Sequence, residues 1–201
     1  MRGDGDGWSV GSDGTRHWGR HGAAGLLLRA PDIDGTPMVL LQHRAAWSHQ
    51  GGTWALPGGA RDSHESTTHA AVREAHEEAG IDSAAVRVRG DVVTMRADSG
   101  WTYTTVVADV ESPLETVANG ESTELRWVRE DDVESLPLHP GFHSAWPSLR
   151  TSVVTSDAET DGGGARTVVL PGGGFGWTPG DADSVQSGST QDRSGSSRAQ
   201  A

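Results

Sequence analysis

The chain contains no cysteine. That excludes disulfides, zinc–thiolate centres and thiol nucleophiles, and nothing here asks for an oxidising compartment. Phenylalanine and tyrosine are scarce, two and one against eight tryptophans. An excess of positive charge is also missing: the formal net charge is -12 and the pI is near 5.0. This argues against nucleic-acid polymers and anionic membranes as partners, because their phosphates would be repelled. A small phosphorylated molecule is still admissible if it arrives with a divalent cation that inverts the local field. The longest apolar runs, around Ala23–Leu28 and Met38–Leu41, are far too short to span a bilayer. The first residues, MRGDGDGWSVGSDG, are acidic and lack the apolar segment of a secretory signal. A cytoplasmic location is the expectation.

What is present reads as one domain between polar ends. At 201 residues the chain can enclose one proper core. Residues 1–20 are rich in Gly, Asp and Ser and are expected to be flexible or loosely attached. Residues 151–201 form a Gly/Ser/Asp-rich tail of the same kind, in which Arg166–Leu170 suggests a short strand and Trp177 a docking point. Pro171-Gly172-Gly173 echoes Pro57-Gly58-Gly59, but no glutamate cluster follows it.

Residues 21–150 alternate strand and helix signals. Ala23–Leu28 and Met38–His43 read as buried strands either side of a turn at Pro31–Gly35. Val86–Met95 and Thr102–Val110 flank Ala97–Gly100 as a hairpin, Glu124–Val128 is a further strand, and Phe142–Leu149 a short closing helix. The class is therefore a layered α/β domain.

The stretch Gly59–Ile81, GARDSHESTTHAAVREAHEEAGI, carries the chemistry. From about Ser66 to Ala79 it is Ala- and Glu-rich, free of proline, and closed by Gly80, so it predicts a helix. At 100° per residue Glu74, Glu77 and Glu78 share an arc of about 100°. Ala71, Ala75, Ala79 and Val72 fill the neighbouring arc, a small-residue stripe that lets the helix lie close to a sheet. Clustered carboxylates repel unless solvated or joined by a cation, and Mg²⁺ suits oxygen donors and phosphates. A Glu-x-x-Glu-Glu fragment alone is usually a solvated helix face; the surrounding pattern decides otherwise.

That pattern is Gly59, Glu65, then Arg73-Glu74-Ala75-His76-Glu77-Glu78 and Gly80-Ile81, and it resembles the Nudix box at every defined position. Ala75 is smaller than the aliphatic residue usual there. The resemblance, over roughly residues 21–150, implies an α/β/α sandwich with a mixed sheet. It also implies a Mg²⁺-dependent hydrolase, with Mn²⁺ as a substitute, acting on nucleoside diphosphates linked to another group. By the same resemblance Glu77 and Glu78 are metal ligands, and Glu74 a further ligand or the general base. Arg73 and Glu65 orient the helix, and Gly58-Gly59 supplies a carbonyl ligand and a tight turn in which glycine permits unusual dihedrals. An extra acidic residue from outside the box is expected at Glu121, with Glu124 next and Asp98 and Asp109 behind.

The entry GGTWALPGG (51–59) resembles MutT-like members, which favours nucleoside triphosphates, oxidised guanine nucleotides included. ADP-ribose and dinucleoside polyphosphates compete. A non-catalytic nucleotide sensor would be expected to have lost the glutamates, and isopentenyl-diphosphate isomerisation uses a cysteine that this chain lacks. Arg44, Trp54, Gly59 and His139 are candidates for the substrate side, within a partner set of small nucleotides and a second copy of the chain. Trp47 and Trp101 could also stack on a base, and Arg61 could meet phosphate, but ordinary packing for the tryptophans and a surface cation for Arg61 are the favoured readings. Zinc is not expected: His69 and His76 lack the i, i+4 spacing, and Pro140 breaks His139 from His143.

Overall fold

The computed structural model describes residues 3–150 and, beyond them, the backbone of Ser152–Val153, Val168–Val169 and Gly176–Trp177. In chain order the strands are β1 (Trp8–Val10), β2 (Arg16–Trp18), β3 (Ala23–Pro31), β4 (Pro37–Arg44) and β5 (Trp54–Ala55). They continue as β6 (Gly58–Ala60), β7 (Arg87–Arg96), β8 (Thr102–Asp109) and β9 (Ser122–Arg129). Helix α1 (Thr67–Ala79) follows β6, and α2 (Pro140–Leu149) follows β9.

Seven of these strands make one mixed sheet in the order β5-β4-β3-β8-β7, with β6 added to β3 and β9 to β4. β3 and β8 run parallel, whereas β3–β4, β4–β9 and β7–β8 are antiparallel. Side chains alternate across a strand, so β3 serves both faces of the sheet. Leu26 and Leu28 pack with the α1 alanines; Leu27 packs with Phe142 and Trp146 of α2. Helices thus cover both faces, as the α/β/α sandwich requires, and the strands and helices fall where the sequence pattern puts them. Burying the six fully enclosed Leu and Ile side chains, Leu26, Leu27, Leu28, Leu40, Leu41 and Ile81, stabilises the domain by roughly 1.5–3 kcal/mol each.

The N-terminal segment corrects the expectation of looseness. β1 and β2 pair as a hairpin with Trp8 opposite Trp18, their rings 5.3 Å apart and edge-on. The segment is tied to the domain: Gly5 N donates to Asp62 at 2.7 Å and Ser63 N to Asp4 at 2.9 Å. Trp101 stacks on His17, centroids 4.6 Å apart, and its indole N–H donates to the Gly19 carbonyl. In the tail, Val168–Val169 pairs with Ser152–Val153 and with Gly176–Trp177. The suggested docking of the Trp177 side chain, and the rest of the tail, lie outside the described residues.

Candidate active site

Local signals set both ends of α1. The Ser66 hydroxyl accepts the His69 N–H at 3.1 Å, and Gly80 ends the helix at φ 69°, a left-handed conformation glycine adopts at little steric cost. Ala71, Ala75 and Ala79 are fully buried, so the helix backbone comes close to β3 and β6. That approach puts two of its glutamates against the Gly58-Gly59 backbone. A Cβ on Gly59 would lie 2.6 Å from a Glu74 oxygen, and one on Gly58 2.5 Å from the Ala24 carbonyl. Neither glycine has a positive φ; what the place demands is the absence of a side chain, not the unusual dihedral expected from the sequence.

Arg73 organises the open side of the helix. Its Nε and Nη2 donate to the two Glu65 oxygens at 2.8 and 3.0 Å, Nη2 also to the Ala60 carbonyl, and Nη1 to Glu74 at 2.8 Å. A fork held on two sides gives a fixed orientation as well as charge neutralisation. The Arg73 bond holds the Glu65 carboxyl below its ordinary range. Glu77 is half exposed and reaches Arg73 Nη1 only at 3.4 Å.

Glu78 is the buried member of the cluster. One oxygen, Oε2, accepts the Gly58 N–H at 2.7 Å and Gln42 Nε2 at 3.1 Å. Burial pushes its carboxyl up to about 8 against the pull of the Gly58 bond, and the Glu74 and Glu121 charges add to the rise. Burial likewise raises Glu74 to about 7, opposed by Arg73. Two carboxyls desolvated side by side are costly as anions and would be relieved by a cation. The donors are oxygen only, and the chain has no lysine, so the fixed cations near them are arginines. Such a donor set fits a hard divalent ion. Glu74, Glu77 and Glu78 do not converge within 4.8 Å; among the described residues that closeness occurs at Asp4, Asp62 and His64, on the surface. Arg73 binds Glu74 and Glu77, whereas the Gly58 N–H and Gln42 bind Glu78.

The residues expected outside the box divide. The Glu121 charge bears on both Glu74 and Glu78. Glu124 is engaged with Arg126 at 2.6 Å, Asp109 with Arg89 near the far end of β8, and Asp98 is in the hairpin turn. The Arg44 charge bears on Glu78 and His139. His139 caps α2, its Nδ1 accepting the Gly141 N–H at 3.1 Å, and burial lowers it to about 4. Trp54 is a correction: it is 4% exposed, with Arg126 over its ring at 4.6 Å and His43 tilted against it, so no face is open for a base. Trp101 is spent on the N-terminal hairpin, and Arg61 on the His21 and Glu65 carbonyls. Trp47 is exposed.

Sequence reading missed Gln42, Ser122 and Tyr103. A polar residue in the apolar run MVLLQ was the available signal for Gln42. Tyr103 gives none, since only the fold brings its hydroxyl over Gly25, 2.0 Å from where a Cβ there would sit.

This sandwich, with a glutamate-bearing helix docked on a glycine-rich strand, is that of a Nudix hydrolase. The chain belongs to that family: the NUDIX domain model matches residues 19–150. It is 57% identical over 196 residues to the Mycobacterium tuberculosis protein named "Putative 8-oxo-dGTP diphosphatase 3", covering 93% of this chain and 90% of that one. It is 44% identical over 150 residues to the "Nucleoside triphosphate pyrophosphatase/Nudix hydrolase fusion protein" of Bifidobacterium longum, covering 71% of this chain and 30% of that protein. The crystal structure of a Nudix hydrolase from M. smegmatis, RenU, matches with TM-score 0.70 and 62% identity, over 72% of this chain and 92% of the other. Nudix enzymes act on small nucleotides and generally use a divalent metal such as Mg²⁺. No helix among the described residues is long and apolar enough to cross a membrane.

Proposed function

We propose that the chain hydrolyses nucleoside triphosphates, oxidised guanine nucleotides among them, to a nucleoside monophosphate and pyrophosphate with Mg²⁺. The observation that carries this is the paired burial of Glu74 and Glu78 against the Gly58-Gly59 backbone, an oxygen-only carboxyl site with half-exposed Glu77 at its rim. The similarity to the M. tuberculosis diphosphatase supports the substrate class. When bound, the ion polarises a phosphoryl oxygen and lowers the pKa of a water. Glu77 and Glu78 are its ligands, joined by the Gly58 carbonyl and Glu121. Glu74, with its carboxyl raised to about 7, takes the proton of the attacking water or completes the ligand set. Arg73, held by Glu65, keeps α1 in register with β6. Arg44 faces the phosphates, and the Gly59 backbone and His139 line the substrate side.

The test is a nucleotide panel assayed with Mg²⁺ or Mn²⁺ in ¹⁸O-enriched water, with products resolved by phosphorus NMR. Guanine triphosphates giving a monophosphate and pyrophosphate, with one labelled, is the expected result. Preference for ADP-ribose or dinucleoside polyphosphates would move the substrate class, and no turnover on any nucleotide would overturn the reading.

A further inference from the structure

Gln42 lies in β4 between Leu41 and His43 and is 1% exposed. A leucine would continue the apolar run, and a buried amide is costly unless each of its groups is bonded. Here each is. Nε2 donates to the Leu56 carbonyl and to Glu78 Oε2, both at 3.1 Å, and Oε1 accepts the Ser122 hydroxyl at 2.6 Å. Two carbonyl-type acceptors on one side and a hydroxyl on the other fix the amide orientation. The hydrogen bonds therefore run one way, from Ser122 through Gln42 to Glu78.

At Glu78 this has a consequence. Oε2 is taken twice, by Gln42 and by the Gly58 N–H, whereas Oε1 is left without a hydrogen bond among the described residues and is not sealed from solvent. We propose that Gln42 and Ser122 are positioning residues that lock the Glu78 carboxylate with Oε1 presented to the divalent cation. The inference rests on the metal reading above. Ser122 directly follows Glu121, whose carbonyl accepts the Ala45 N–H at 2.9 Å, and β4 carries an irregularity at His43/Arg44. One rigid junction thus places Glu78 and the Glu121 backbone relative to each other. Side chains that orient metal ligands from behind change metal affinity by about 10–100-fold when removed.

The test is Mn²⁺ binding by electron paramagnetic resonance on full-length Gln42→Leu and Ser122→Ala, with metal-free melting by circular dichroism alongside. Gln42→Leu is expected to weaken Mn²⁺ binding by about 10–100-fold. Ser122→Ala, which loses the outer hydroxyl and leaves Gln42 Oε1 unbonded, is expected to weaken it by about threefold or more, with only a modest fall in the melting temperature. Gln42→Glu, which sets an anion against Glu78, should be at least as damaging as Gln42→Leu. A packing role would lower the melting temperature and leave the affinity alone. Affinity within twofold of wild type in the folded variants overturns the proposal, and Ser122→Ala decides it if Gln42→Leu does not fold. Loss of binding in Glu78→Gln but not in these variants refutes the positioning role alone. Undiminished binding in Glu78→Gln refutes the metal reading and this inference together.

Discussion

Replacing Glu78 by glutamine should make the protein less active and more stable at once. The carboxyl is held up to about 8 in the fold, against an ordinary value near 4.5. The folded state therefore binds the proton more tightly, and stability falls as pH rises from about 4.5 to 8. At pH 7.5 the unfolded chain is ionised and the folded one mostly is not, a linkage cost of about 4 kcal/mol without metal. A glutamine has no such titration, and its carbonyl oxygen can accept from Gly58 N and Gln42 Nε2. Its own burial costs about 1–2 kcal/mol, which leaves a net gain of about 2–3 kcal/mol. For a domain of this size that corresponds to a melting temperature higher by about 4–12 °C. Thermal melts in EDTA at pH 7.5 measure it, and the gain should shrink below about pH 5. Adding Mg²⁺ should raise the wild-type melting temperature and leave the variant unmoved, while turnover falls by at least about a hundredfold. A variant less stable than wild type in EDTA, or one with near-normal turnover, would refute the reasoning.

Other outcomes follow from the same contacts. Arg73→Lys keeps the charge but loses the fork across Glu65 and Glu74; urea melts should show a loss of about 1–3 kcal/mol, with turnover down tenfold or more. Trp54→Ala should cost about 3–5 kcal/mol as a core deletion, whereas Trp47→Ala should be neutral in the same melts. His139 is lowered to about 4 by burial, then by Arg44 and His49, so it stays neutral in the fold after the unfolded chain has begun to protonate. Its contribution is present above about pH 6.5 and is lost as pH falls toward 4; His139→Asn, which can still cap α2, should flatten that stretch of the stability–pH curve.

The parts of the site within a few residues of one another could be read from the chain. Ser66, the alanine stripe and Gly80 fix α1, and the helical period puts Glu74, Glu77 and Glu78 on one side. Strand existence was equally plain, because β3 and β4 are apolar runs bounded by turn residues. What could not be read depends on register across distant strands. Gln42 meets Ser122 eighty positions away only because β4 and β9 pair with His43 opposite Glu124. The same registry buries Trp54 beneath Arg126, although its glycine-rich surroundings read as an open loop. The Gly/Asp-rich N-terminus looked unstructured, yet Trp8 and Trp18 pair across a hairpin whose energy comes from side chains that composition averages away. Gly58 and Gly59 were legible as glycines but not as close approaches, since the neighbours they accommodate, Ala24 and Glu74, lie on other elements.

The assignment of the cation to the α1 glutamates is tested most directly by titrating Mn²⁺ into wild type, Glu77→Gln, Glu78→Gln and Asp62→Asn, followed by electron paramagnetic resonance. Saturable binding in wild type and Asp62→Asn, weakened at least about tenfold in both glutamate variants, is expected. Equal binding in all four, or loss in Asp62→Asn alone, would contradict the assignment and move the ion to the Asp4, Asp62 and His64 surface group.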